Sequence, residues 1–142
     1  MTKNDLINTW LLVSFELRKE GGEIIYPFGK DVAGRITYSS SGYFSAQVMR
    51  KNRPLFESED QMKGSIEEVM ENFKGVISYF GSYTIDKNII THHVEESLYP
   101  NWNGLSMKRF AKLENDLLEL STEPTTWQGK NSIGILLWKK GE

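Results

Sequence analysis

Thr91-His92-His93-Val94-Glu95-Glu96-Ser97-Leu98-Tyr99-Pro100-Asn101-Trp102 holds both histidines of the chain, and its reading decides how the neighbouring segments are oriented. Side chains along a strand point alternately to opposite faces. Thr91, His93, Glu95 and Ser97 therefore share one face, and His92, Val94, Glu96 and Leu98 share the other. A histidine and a carboxylate two residues apart stand about 7 Å from each other along a strand. They are half of a polar site if their face points inward, and an ordinary solvated face if it points outward. The register of the adjoining strands decides which, because a slip of one residue exchanges the faces.

The same alternation runs through most of the chain. Leu11, Val13, Phe15 and Leu17 alternate within Trp10 to Lys19. Ile36 and Tyr38 do so within Gly34 to Ser39, and Phe44, Ala46 and Val48 within Tyr43 to Arg50. Val76 to Asp86, Ile89 to Leu98, Leu105 to Leu113, Leu117 to Thr122 and Ser132 to Lys140 continue the series, with a short strand at Glu23 to Tyr26. Gly21-Gly22 and Ser40-Ser41-Gly42 supply turns, since glycine accepts positive φ freely. Pro124 to Asn131 reads as a loop. About eight to ten short strands at this spacing predict an all-β antiparallel sandwich or barrel. Asp5 to Trp10 is expected to hold one short helical turn closing on the first strand, with Trp10 structural, packed under it at a closed barrel end.

One helix interrupts the strands, at Ser65 to Lys74. Ser65 and Glu68 form the two halves of a capping box. Ile66, Val69, Met70 and Phe73 recur at helical spacing and give one apolar stripe. The stripe predicts a helix packed on the sheet; a lid over a cavity mouth is the alternative.

The composition narrows the function. The 142 residues predict one domain, 1–142, able to bury roughly two thirds of its unfolded surface. There is no cysteine, which leaves no disulfide or thiolate metal site and suits a cytoplasmic protein. The N-terminal residues are polar, with no apolar run of signal-peptide or membrane-spanning length, so no membrane association is expected. The net charge is −2 with mixed signs and no basic patch, which disfavours a nucleic-acid partner. Aromatic residues make up 12% of the chain, enough for a well-filled core or an aromatic-lined cavity.

Several short motifs occur in order: Asn8-Thr9-Trp10, Pro27-Phe28-Gly29, Gly34-Arg35-Ile36-Thr37-Tyr38, Gly42-Tyr43-Phe44-Ser45-Ala46-Gln47, Tyr79-Phe80-Gly81-Ser82-Tyr83, Thr91-His92-His93-Val94-Glu95, Pro100-Asn101-Trp102 and Leu120-Ser121-Thr122. Together they resemble the bacterial and fungal lipocalin-like domain family, along nearly the whole chain. The first departs from the Gly-x-Trp signature of lipocalins, with Asn8 in place of glycine. The resemblance implies an up-and-down β-barrel of the calycin type, and it leaves function open because one fold hosts many functions.

A barrel interior can be filled or can hold one small ligand. Lys108 and Lys112 flank Phe110 on one face of Leu105 to Leu113, and lysine is rarely buried. Arg109 should therefore point inward with Met107, where its charge needs an acceptor. Glu95 on the preceding strand is the expected partner, which brings His93 inside and leaves His92 outside. The candidate site is thus Arg109, Glu95 and His93, walled by Tyr38, Gln47, Tyr79, Tyr83, Trp102 and Met107. The alternation of Phe44, Ala46 and Val48 makes an equally good inner face, which would turn Gln47 outward.

Other chemistries fit less well. His92 and His93 are adjacent and point apart, so they cannot chelate a metal in regular β geometry. The same alternation separates Glu95 from Glu96 as a glycosidase pair. There is no Gly-x-Ser-x-Gly elbow and no phosphate-binding glycine loop, and no cofactor is implied. The leading expectation is a barrel that binds a small, largely apolar molecule. The second is a cofactor-independent isomerase or cyclase of an apolar or polyketide-like substrate. There His93 would be general acid or base, Glu95 would orient it and Arg109 would stabilise negative charge. The third is a filled barrel serving as an interaction domain.

Overall fold

The structure, a computed structural model, describes residues 1–141. A short helix α1 (Lys3–Leu6) leads into β1 (Asn8–Lys19), followed by β2 (Ile24–Ile25), β3 (Val32–Tyr38) and β4 (Tyr43–Arg50). Helix α2 (Ile66–Lys74) separates these from β5 (Val76–Asp86), β6 (Ile89–Ser97), β7 (Ser106–Glu114), β8 (Leu117–Thr122), β9 (Thr125–Trp127) and β10 (Lys130–Lys140). The strands form one ten-stranded sheet ordered β2-β1-β3-β4-β5-β6-β7-β8-β10-β9, and β1 also pairs with β10. That last pairing, from Trp10↔Lys140 to Lys19↔Ser132, closes an antiparallel barrel as expected, with β2 and β9 as short additions to its rim.

β9 lies in the segment expected to be a loop. Gln128 and Gly129, at φ 50° and 78°, join it to β10 in a two-residue turn. Positive φ at both positions matches the twist of a hairpin. The usual signal is Asn-Gly, and glutamine in the first place hides it.

One barrel end is shut by the N-terminal turn. Trp10 is 1% exposed, and its indole N–H donates to the Leu6 carbonyl at 2.8 Å. The inner face there is filled by Ile36, Tyr38, Phe44 and Tyr83, all buried. The opposite end carries the β4–β5 connection, the 3-10 turn Pro100–Trp102 and the segment from Glu123 to Trp127.

Helix α2 begins as expected. Ser65 Oγ accepts from the Glu68 N–H at 3.1 Å, and Glu68 Oε1 accepts from the Ser65 N–H at 2.8 Å. Its apolar stripe does not pack on the sheet, contrary to expectation: Ile66, Val69, Met70 and Phe73 are 84%, 50%, 47% and 44% exposed. β4 and β5 pair directly with each other, so the helix is an excursion outside the barrel wall. Polar contacts hold it there, chiefly Arg53 Nη1 to Asn72 Oδ1 at 2.7 Å and the Glu57 N–H to Glu68 Oε2 at 2.9 Å.

A bulge interrupts the β5–β6 ladder. Phe80 pairs with Glu96 and Gly81 with Val94, which leaves Glu95 as the extra residue. A side chain at Gly81 would collide with the His93 carbonyl oxygen, so glycine permits this close approach. A bulge changes which residues face inward on its two sides.

Candidate functional site

The barrel interior is open from its uncapped end into a cavity of about 590 Å³. Phe15, Ile36, Ala46, Val48 and Leu120 give it an apolar wall, and Tyr99, Trp102, Glu123 and Trp127 stand at its rim.

His92 lies in the cavity wall, 0% exposed, between Ile90 and Val94, which are also buried. Its Nε2 is 2.6 Å from Tyr38 Oη and its Nδ1 is 3.1 Å from Tyr79 Oη. Phe44 stacks on the imidazole at 4.1 Å between centroids and 14° between planes. Burial holds its pKa well below 6.5, helped by the charges of Arg109 and His93. The ring is therefore neutral, with one nitrogen donating and the other accepting. Burial also pushes the Tyr38 hydroxyl pKa well above its ordinary value, so this phenol keeps its hydrogen.

Counting donors fixes the direction of the chain. Tyr38 Oη has one side-chain partner, His92 Nε2, so it donates there. The opposite polarity would strand a hydrogen in a fully buried place, at about 1–3 kcal/mol. Nε2 is then the acceptor, Nδ1 carries the hydrogen, and Nδ1 donates to Tyr79 Oη. The hydrogen of Tyr79, which also lines the cavity, is left without an acceptor among the described residues.

Arg109 also lines the cavity, opposite Ile90 on β6 and Thr122 on β8. Its Nη1 donates to the Lys108 carbonyl at 3.0 Å, and Nη2 lies 4.0 Å from Met107 Sδ. Among the described residues, no carboxylate pairs with it. Two further lining residues, Trp127 and Trp138, bury indole N–H groups that have no partner among the described residues.

The expected trio does not assemble. Arg109 is inside, but His93 faces outward, bonded to Thr84 Oγ1 at 3.0 Å and Ser106 Oγ at 2.9 Å. Glu95 is exposed in the bulge. The strands pair with Ile90 beside Arg109 and His92 beside Met107, so Glu95 lies well along β6 from the arginine. Counting back symmetrically from a connection Tyr99 to Gly104 places Glu95 level with Arg109, whereas pairing with β7 stops at Val94 and β6 runs on to Ser97 without a β7 partner. Gln47 also faces out, bonded to Ser45 Oγ at 3.1 Å, while Phe44, Ala46 and Val48 take the inside.

Of the other predicted residues, Tyr79, Trp102 and Met107 line the cavity with Arg109. Tyr38 and Tyr83 are buried beneath it, and Tyr83 Oη donates to the Ser39 carbonyl at 2.7 Å. His92, expected outside, faces inward, Phe44 faces inward as the alternative face of its strand implies, and Trp127 and Trp138 are additions to the expected site. For His92 a signal was present: Ile90, His92 and Val94 make the more apolar face of the strand.

Residues 7–141 match the family model of the lipocalin-like domain. The chain belongs to the lipocalin-like domain family. This lipocalin-like chain is also 34% identical over 105 residues to a 4'-hydroxy-3'-methoxypropiophenone carrier protein of Aspergillus oryzae, an alignment covering 68% of this chain and 95% of the relative. A lipocalin-like protein of Bacteroides uniformis shares the fold with a TM-score of 0.51, at 16% identity, over 96% of this chain and 99% of the other. No helix among the described residues is long and apolar enough to cross a membrane. Among the described residues, no group of three His, Asp or Glu side chains is placed to hold a metal ion.

Proposed function

We propose that this lipocalin-like protein is a carrier that holds one small aromatic molecule of modest polarity in its barrel. The observation that carries this reading is the cavity: about 590 Å³, apolar in its walls and crossed by a few fixed polar groups. Ligand pockets have this size, on the order of 300–1,000 Å³, and this composition. The A. oryzae relative, named as the carrier of an acylated methoxyphenol, supports the same ligand class. The cysteine-free sequence suits a cytoplasmic carrier.

The isomerase or cyclase reading has less support. His93 and Glu95 lie outside the barrel, and both ring nitrogens of His92 are held by tyrosines. A proton-transfer group must reach its substrate.

Titration with 4'-hydroxy-3'-methoxypropiophenone, followed by tryptophan fluorescence, tests the proposal. Saturable one-site binding is expected, with the compound recovered unchanged. Trp102→Leu should weaken it about tenfold, the effect of losing an aromatic contact of about 1.5 kcal/mol. Absence of saturable binding, or chemical conversion of the compound, would overturn the carrier reading.

A further inference from the structure

The cavity is rich in donors and poor in acceptors. Arg109 offers a guanidinium with no carboxylate partner among the described residues. Tyr79 offers the hydrogen that the Tyr38–His92 pair leaves unclaimed. Beneath the cavity surface, Trp127 and Trp138 bury indole N–H groups without partners among the described residues. The acceptors are occupied or peripheral. Both nitrogens of His92 are engaged, and Thr122 Oγ1 accepts from the Gly134 N–H at 2.9 Å. Glu123, the one carboxylate of the lining, stands exposed at the rim.

Buried donors without acceptors are costly. Arg109 is only partly buried, so its charge is not stranded, but it is the cation that an anionic ligand in the cavity would meet. A neutral phenol brings one more hydrogen into a place short of acceptors, whereas a phenolate brings a full negative charge and no donor. Hydrogen bonds from a cation to an anionic oxygen are about twice as strong as neutral ones.

We infer that the cavity takes an acidic phenol as its phenolate, with the anionic oxygen against Arg109. This rests on the carrier reading and deepens it. A phenol carrying an acyl group in the para position meets the requirement. The carbonyl delocalises the phenolate charge and makes the phenol more acidic than tyrosine, and its oxygen is a second acceptor for Tyr79. The phenol proton leaves to the buffer. The other titratable groups facing the cavity are Tyr79, His92, Tyr99 and Glu123. Of these only Glu123, at the rim, opposes an anion. The field of Arg109 reaches inward, since its charge helps hold the His92 imidazole neutral.

The test uses the intact protein with 4'-hydroxy-3'-methoxypropiophenone and its O-methyl ether, which cannot ionise. Phenolate absorbs at longer wavelength than phenol, so the ionised fraction of bound ligand can be followed spectrophotometrically from pH 5 to 9. The phenol pKa is expected to fall by at least one unit on binding, equivalent to phenolate binding about tenfold more tightly than phenol. Arg109→Met should abolish the shift and weaken binding of the phenol more than binding of the ether. Arg109→Lys, which keeps the charge and loses the planar fork, should retain part of the shift. A bound pKa that is unchanged or raised while the ether still binds would overturn the inference and leave the carrier reading standing. A full shift retained in Arg109→Met would also overturn it. Failure of phenol and ether alike to bind would overturn both.

Discussion

Tyr38 Oη lies 2.6 Å from His92 Nε2, with both side chains shut off from solvent. This contact fixes the tautomer of the histidine and, through it, the direction in which Tyr79 can donate. It also stabilises the barrel. Tyr38→Phe leaves a buried imidazole nitrogen without a donor, and the expected loss is about 1–3 kcal/mol. Urea unfolding measures it; a change below about 0.5 kcal/mol would mean that the hydrogen bond is not made as described.

His92 makes stability depend on pH. Its folded pKa is depressed because burial disfavours the charged ring, whereas the unfolded chain titrates near 6.5. The unfolded state therefore binds more protons below that value. Stability is fully present above pH 6.5 and is lost as pH falls from there toward the depressed folded value, by about 1.4 kcal/mol per unit. Unfolding free energies measured from pH 7.5 to 5 should show this slope. His92→Gln should flatten it and His93→Gln, on the outer face, should not.

Arg109 and Glu95 should behave as strangers. The arginine faces the cavity and the glutamate sits in an exposed bulge. Glu95→Gln is expected to change stability by less than about 0.5 kcal/mol, and the double variant with Arg109→Met should be additive within about 0.5 kcal/mol. A larger coupling energy in the double-mutant cycle would restore the ion pair that the strand register denies.

Trp10 closes the barrel under the N-terminal turn. Trp10→Ala should cost about 3–5 kcal/mol in denaturant unfolding, as other large aromatic truncations in cores do. A cost below about 1 kcal/mol would show that the barrel end does not depend on it.

The barrel was legible because alternation in strand after strand reports a sheet with one buried face. Arg109 was legible for the same reason, through the lysines on either side of Phe110. The orientation of the histidines was only partly legible. Ile90, His92 and Val94 signal an apolar inner face, but the register of β6 against β7, with Ile90 beside Arg109 and His92 beside Met107, is what settles it, and that register appears only in the folded sheet. The apolar stripe of α2 misled for a related reason. Helical spacing shows that a face is apolar, but the direct pairing of β4 with β5 decides whether a surface is available to cover it. The donor excess of the cavity draws on residues from β5, β7, β9 and β10, and only the closed barrel brings them together.

The account stands on a small aromatic ligand lying inside the barrel among Trp102, Trp127 and Trp138. The chain has four tryptophans, and the fourth, Trp10, is outside the cavity with its indole hydrogen already bonded to Leu6. The indole N–H signals in a nitrogen–proton NMR correlation spectrum, followed during titration with 4'-hydroxy-3'-methoxypropiophenone, address the claim directly. The signals of Trp102, Trp127 and Trp138 should move together and saturate, while Trp10 stays in place. Shifts confined to residues of α2 or to the outer face, with the three cavity indoles unmoved, would contradict it.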